Sequence, residues 1–413
     1  MQRHTPSLRK ARWQHPIFQR EETMRRSRDR ILTTHVGSLP RPADLEAMLL
    51  AREHGSLDEA GHARLPVRVA EAVIDVVERQ AQIGLDIVDD GEMSKYAYAT
   101  YARDRLTGLE GADQPLALSE LAEFPAFAQR IRLEIKTPAC VGPIRYRGEA
   151  ALQMDIANLK EALSRAHVDT AFMCASSPGI MAHYMPNQHY PTQEAYLFAL
   201  ADAMKHEYDA IAASGVLLQI DCPDLALGRH FRAKPLDVTS FRKEVGLHVE
   251  VLNHALRDIP ADQMRLHLCW GNYESPHHHD IDLAEIFDLI ALARPTALLV
   301  EAANPRHAHE WRFFRDTRLP DDKIIVPGVI DTCTNYIEHP EVVAQRIEQY
   351  ADVVGRERMI AGTDCGFASF ATLHTVDPDI AWRKLEALVQ GAEIASHRLW
   401  RSPATAGSKA VVS

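Results

Sequence analysis

Short apolar runs alternate along the chain with longer stretches in which apolar residues recur every third or fourth position. The short runs fall at 31–36, 86–90, 170–174, 217–221, 264–269, 297–301, 324–330 and 358–363. Several are continuously apolar, as in Ala297-Leu-Leu-Val-Glu301, which is the pattern of strands buried on both faces of a parallel sheet. The longer stretches read as amphipathic helices. Over 338–354, Val342, Val343, Ile347, Tyr350 and Val354 share one side, and Gly355 supplies a stop. Asn304-Pro305 sets a capping residue before proline, predicting a helix with His307 and His309 one turn in. Eight strands, most followed by a helix, predict an α/β fold of the (β/α)8 TIM-barrel type. A doubly wound open sheet shares the alternation, but the strand count favours the barrel.

Long insertions are expected after strands 1 and 2. Residues 37–66 include a helix from Ala43, and residues 93–168 include helices and a hairpin over about 132–147. The barrel itself is expected over 31–402. Residues 1–30 carry nine lysines and arginines without an apolar segment, and Glu21, Glu22 and Asp29 argue against a transit peptide. They read as a disordered basic extension, with Met24 as an alternative start, and 403–413 reads as a disordered tail.

Composition narrows the function. The 413 residues are 46% hydrophobic and 25% charged, with a formal charge of -11, which argues against a nucleic-acid partner. No apolar run is long enough to cross a bilayer. Six cysteines in a chain of this length do not form a disulfide framework. The natural setting is reducing and cytoplasmic, with thiols free to bind metal.

His267 and Cys269, two positions apart on a predicted strand, leave the same face. Glu301 and Cys365 stand at the ends of two further strands. One imidazole, two thiols and a carboxylate at strand tips are a tetrahedral zinc set. The blander reading is a hydrogen-bonded core histidine and two small buried thiols. It leaves Glu301 unexplained, since an ionised carboxylate closing an apolar run needs a partner. Asp364 raises the same question. Two thiolates and a carboxylate make the site net negative with zinc, which suits keeping a bound thiol nucleophilic better than acidifying water. A metallohydrolase is therefore the second choice. His277-His-His279 reads as a solvated loop.

Other strand ends carry Glu92 and Asp221, two acids able to hold an ammonium group. At Gly37 and Ser38 the backbone leaving the first strand could approach an anion closely. Together these describe a site for an α-amino acid.

Seven motifs occur in order: the run from Thr33 to Pro42, Gly91-Glu92, Gln219-Ile-Asp221, His267-x-Cys269, the strand end at Glu301, the run from Pro327 to Asp331, and Asp364-Cys-Gly366. This set resembles the catalytic C-terminal half of cobalamin-independent methionine synthase, and more closely the short, single-barrel branch of that family, from about Ile31 to Trp400. The resemblance implies a (β/α)8 barrel with Zn2+ held by His267, Cys269, Glu301 and Cys365. It implies homocysteine bound as thiolate, with Ser38 near its carboxylate and Glu92 and Asp221 near its ammonium. The methyl group would come from a methylated carrier, and the product would be methionine. Asp331 and Cys333 occupy the place of an Asp-x-His pair whose histidine is proposed to protonate the carrier. Together with the lack of room for a second half, Cys333 leaves the donor open among a folate, a corrinoid (free or on a corrinoid protein) and another small methylated compound. The alternatives are an epoxide-opening thiol alkyltransferase of the coenzyme M type, a metal-free enzyme of the uroporphyrinogen decarboxylase type, and a non-catalytic metal-binding protein.

Overall fold

The computed structural model of the chain describes residues 24–115, 117–131, 136–371 and 375–400. Its centre is a parallel sheet of six strands in sequence order: β3 (Phe172–Ser176), β4 (Leu217–Asp221), β5 (Met264–His267), β6 (Ala297–Glu301), β7 (Ile324–Ile330) and β8 (Gly362–Thr363). Two further segments close it into a ring. Thr33 bridges Ala361 beside β8, and Val88 bridges Ala171 beside β3. The two closing segments meet where the amides of Asp86 and Ile87 both donate to the Thr33 carbonyl, at 3.1 and 3.2 Å. All eight expected strand positions are thus occupied. Where these two segments meet, side chains take backbone bonds: Thr33 N–H donates to Asp86 Oδ2 at 2.9 Å, and Asp86 N–H to Thr33 Oγ1 at 3.3 Å.

The period of two sorts each strand. Phe172 and Cys174, Ala297 and Leu299, and Ile324 and Val326 join one buried cluster inside the barrel. Their alternates Met173, Ala175, Leu298, Val300 and Ile325 join the cluster between strands and helices. Extending the inward set by one step reaches Glu301 on β6, and on β4 and β5 the same parity carries Asp221 and His267. The inward layer at the C-terminal mouth is therefore polar.

Met24 belongs to the inner cluster, and its amide donates to the Asp262 carbonyl at 2.6 Å. Ser27 Oγ donates to the Met359 carbonyl at 2.7 Å. Residues 24–30 are thus anchored to the barrel instead of belonging to the basic extension; residues 1–23 and 403–413 lie outside the described residues. The first insertion holds the expected helix, Ala43–Glu53, followed by Glu59–Ile83. The second differs from expectation. Its antiparallel pair joins β1 (Asp113–Pro115) to β2 (Lys136–Pro138) across two short helices, Ser119–Glu123 and Pro125–Ile131. No hairpin partner for β2 occurs among the described residues of 136–147, and 132–135 are outside them. The helix predicted from Pro305 is also replaced. Asn304 Oδ1 caps the amides of Arg306 and His307, but turns follow until Glu310–Arg312 and Phe313–Asp316. The helix predicted over 338–354 is found at Pro340–Val354, ended by Gly355 with φ 90°. No helix among the described residues is long and apolar enough to cross a membrane.

Candidate active site

His267, Cys269 and Cys365 come together at the mouth, all buried, with one ligand-capable atom of each within 4.8 Å of the others. The two sulfurs are 3.7 Å apart. The His267 ring is oriented from behind: its Nδ1 lies 3.1 Å from Asp221 Oδ1, while its Nε2 is buried without a hydrogen-bond partner. A carboxylate behind an imidazole fixes the tautomer and leaves the far nitrogen's lone pair free for a metal. Burial disfavours the imidazolium, but Asp221 and the neighbouring Cys269 outweigh it and raise His267 to about 10. Cys269 is pushed well up by the Cys365 thiol beside it and by burial.

Glu301 is buried beside this trio but outside it. Its Oε1 accepts from the Trp270 amide and its Oε2 from the Asn304 side chain, each at 2.8 Å. Burial raises its pKa. Asp364, the other acid that needed a partner, accepts from the backbone amides of Ala302, Ala303 and Asn304 at 2.7 to 2.8 Å.

The trio faces a cavity whose walls include Ser38, Glu92, Asp221, Tyr98, Tyr184 and Phe231. Glu92 is buried at φ 57°, a left-handed conformation unusual for a residue with a side chain, and its Oε2 has no partner. Glu92, Cys174 and Asp221 converge within 4.8 Å. Lys95 Nζ lies 3.9 Å from Glu92 Oε1 and donates to the Cys174 carbonyl at 2.7 Å. The two acids and this lysine leave one net negative charge. Ser38 lies against Gly366, where a Cβ would stand only 2.0 Å from Ser38 Oγ. Gly37 is placed differently from expectation. Its amide donates to His35 Nδ1 at 3.2 Å, so it is not free for an anion. Its φ of 140° and the Cys174 sulfur, 2.5 Å from where a Cβ would be, explain the glycine.

A second cavity lies beyond Cys365. It holds Glu301, Asp364, Asp331 and Cys333, and shares Gly271, Asn272, Tyr273 and Cys365 with the first. Asp331 accepts from the Cys333 amide at 2.6 Å and from the Thr334 hydroxyl at 2.8 Å, and Cys333 Sγ donates to Asn272 Oδ1 at 3.3 Å. Asn272 also donates to the Gly366 carbonyl at 2.7 Å. It ties the two cavities together, and the sequence reading missed it along with Lys95 and the aromatic walls. Their signals were weak: an asparagine after Trp-Gly looks like an ordinary turn, and Lys95 sits in a polar stretch. Within the predicted histidine loop, His278 and His279 contact the exposed Glu123 and His277 packs against Asp280. His307 is buried between Asp280 and Glu310, with its ring 4.3 Å from that of Trp270.

Fold and site together define a (β/α)8 protein with a thiol–imidazole cluster at its strand ends, facing an acid-lined cavity. Comparison with known proteins then places it. Residues 31–393 match the family described as cobalamin-independent synthase, catalytic domain, and the chain belongs to that family. The methionine synthase of Thermococcus kodakarensis is 27% identical over 378 residues, covering 90% of this chain and 96% of the relative. That of Saccharolobus solfataricus is 24% identical over 374 residues, covering 89% and 96%. Both are matched over nearly their whole length, in keeping with the short, single-barrel branch. A B12-independent methionine synthase from Shewanella sp. W3-18-1, solved with selenomethionine, superposes with a TM-score of 0.69 at 20% identity, covering 90% of this chain and 99% of that one. It shares the fold.

Proposed function

We propose that this chain is a zinc-dependent methyltransferase that moves a methyl group from a methylated carrier to the thiol of homocysteine, giving methionine. The observation that carries the reading is the orphaned His267 Nε2 beside two thiols 3.7 Å apart. Two sulfurs bound tetrahedrally at about 2.3 Å stand roughly 3.8 Å apart, so the donor set fits zinc. His267, Cys269 and Cys365 hold the ion in this reading, and Glu301 is the fourth and most exchangeable ligand. A zinc bound there lowers the pKa of an incoming thiol and keeps the resulting thiolate nucleophilic.

The remaining steps belong to the chain's own groups. Glu92, with its free Oε2, and Asp221 take the substrate ammonium, and Ser38 takes its carboxylate. Such an amino-acid grip points the substrate sulfur toward Cys269 and Cys365. The aromatic walls exclude water, which would otherwise solvate the thiolate and slow attack. The sulfur then forms a bond to the methyl carbon as the bond from that carbon to the carrier breaks, and the electron pair leaves with the carrier. Asp331 and Cys333 line the neighbouring cavity, where the carrier is placed, with Asp331 positioned to relay to the departing carrier the proton that the substrate thiol gave up.

The paired acids favour an amino-acid thiol over a sulfonate thiol, which distinguishes this reading from epoxide opening with coenzyme M. The test is a screen of methylated folates, methyl-corrinoids and small methyl donors against homocysteine and coenzyme M, following products by mass. Methionine from at least one donor is expected. Turnover with coenzyme M while homocysteine fails to bind would overturn the reading.

A further inference from the structure

We propose that His183, Glu244 and His248 form a second divalent-metal site, behind the wall of the thiol cavity. Glu244 and His248 are four residues apart on the helix Val238–Ala255 and therefore share a face. His183 comes from the last turn of the neighbouring helix Pro178–Tyr184. One ligand-capable atom of each lies within 4.8 Å of the other two.

The surroundings are those of a built site. Asp224 Oδ2 holds His248 Nδ1 at 2.9 Å, and its Oδ1 accepts from Ser177 Oγ at 2.5 Å. This repeats the arrangement behind His267: a carboxylate fixes the tautomer and leaves the other ring nitrogen as a donor to metal. Gly179 makes room for the pair, since a Cβ there would be 2.0 Å from Asp224 Oδ2 and 2.7 Å from His248 Nδ1. His183 Nε2 is buried with no hydrogen-bond partner, although Glu244 Oε1 is only 3.3 Å away. Glu244 Oε1 is also 2.7 Å from Arg232 Nη2. Two carboxylates and one guanidinium leave one negative charge for a cation. Two imidazoles and a carboxylate select a borderline dication such as zinc or cobalt over magnesium or calcium.

The site contains no thiol and shares no residue with the His267 cluster. Its consequence is mechanical. An ion there ties two helices together directly behind Tyr184, Leu227 and Phe231, which wall the thiol cavity, and Asp224 follows Asp221 by three residues.

The test is metal content per chain after equilibration with zinc and desalting, with folding checked by circular dichroism. Wild type is expected to hold two ions, Cys365→Ala one, and Cys365→Ala with His183→Gln none. Cobalt in Cys365→Ala, equilibrated in place of zinc, should show d–d absorption without a thiolate charge-transfer band. His183→Gln in the wild-type background should lower the count by one whatever Cys365→Ala does, which keeps this site separable from the catalytic one. Glu244→Gln repeats the test if His183→Gln does not fold. An unchanged metal count in both single variants would overturn the proposal.

Discussion

The two cavities flanking Cys365 are built in different ways. The thiol-side cavity takes its polar groups largely from strand ends: Asp221 closes β4, His267 closes β5, and Glu92 follows the closing segment at Val88. Several are held from behind, His267 by Asp221 and Glu92 by Lys95. The far cavity is made mostly of loops, with Glu301 at the end of β6. Asp331, Thr332, Cys333 and Thr334 follow β7, Asn304 to Arg306 follow β6, and their polar atoms bond mostly to one another and to nearby backbone. A site on strand ends is fixed by the sheet, whereas a loop site can change with little cost to the barrel. Under the proposed function, the fixed half would define the thiol chemistry, and the loop-built half would select the partner that the thiol attacks.

Four substitutions probe that division. The largest effect is expected for Cys365→Ala, which stands between the halves. It should abolish zinc retention at the mouth and methyl transfer, leaving one ion per chain and a folded barrel, as read by metal analysis and circular dichroism. A metal count undiminished from the wild type in this variant would show that the ligand assignment is wrong. Asp221→Asn, which keeps the shape but weakens the hold on His267, should lower zinc affinity about 10–100-fold in a chelator competition, the usual cost of losing a group behind a ligand. Glu92→Gln removes one charged acceptor, worth roughly 1.5–3 kcal/mol. It should raise the KM for homocysteine about 10–100-fold with little change in kcat. The smallest effect is expected across Cys365: Cys333→Ser exchanges one weak hydrogen bond to Asn272 for another and should alter the KM for the donor by no more than about threefold. A large rise in the thiol KM from Cys333→Ser would erase the distinction between the cavities.

The same division decides what could be read from the chain. The run Ala297-Leu-Leu-Val-Glu301 announces its strand and its inward carboxylate together, because burial on both faces forces a continuous apolar pattern that a charge can only end. His267-x-Cys269 is legible for the related reason that the period of two puts both on one face. Five of the six strands of the sheet were anticipated nearly to their ends, while β8 proved far shorter than the apolar run suggested. Loops carry no such period. The turns after Asn304 show the limit: the capping bonds were read correctly, yet turns follow them, with His307 bonded to Asp280 and Glu310. The pairing of β1 with β2 was hidden for a similar reason, since its partners are three residues long and lie across two helices. Gly37 shows the opposite case, a glycine whose need was visible but whose cause was packing against Cys174.

The central claim is that two thiols and an imidazole at the barrel mouth hold a zinc that receives the thiol of an amino acid. X-ray absorption at the zinc edge tests it most directly, on protein carrying His183→Gln so that only the mouth is occupied. Two sulfur neighbours are predicted in the resting protein and three after homocysteine is added. A resting spectrum with no sulfur neighbours, or one unchanged by homocysteine, would contradict the account.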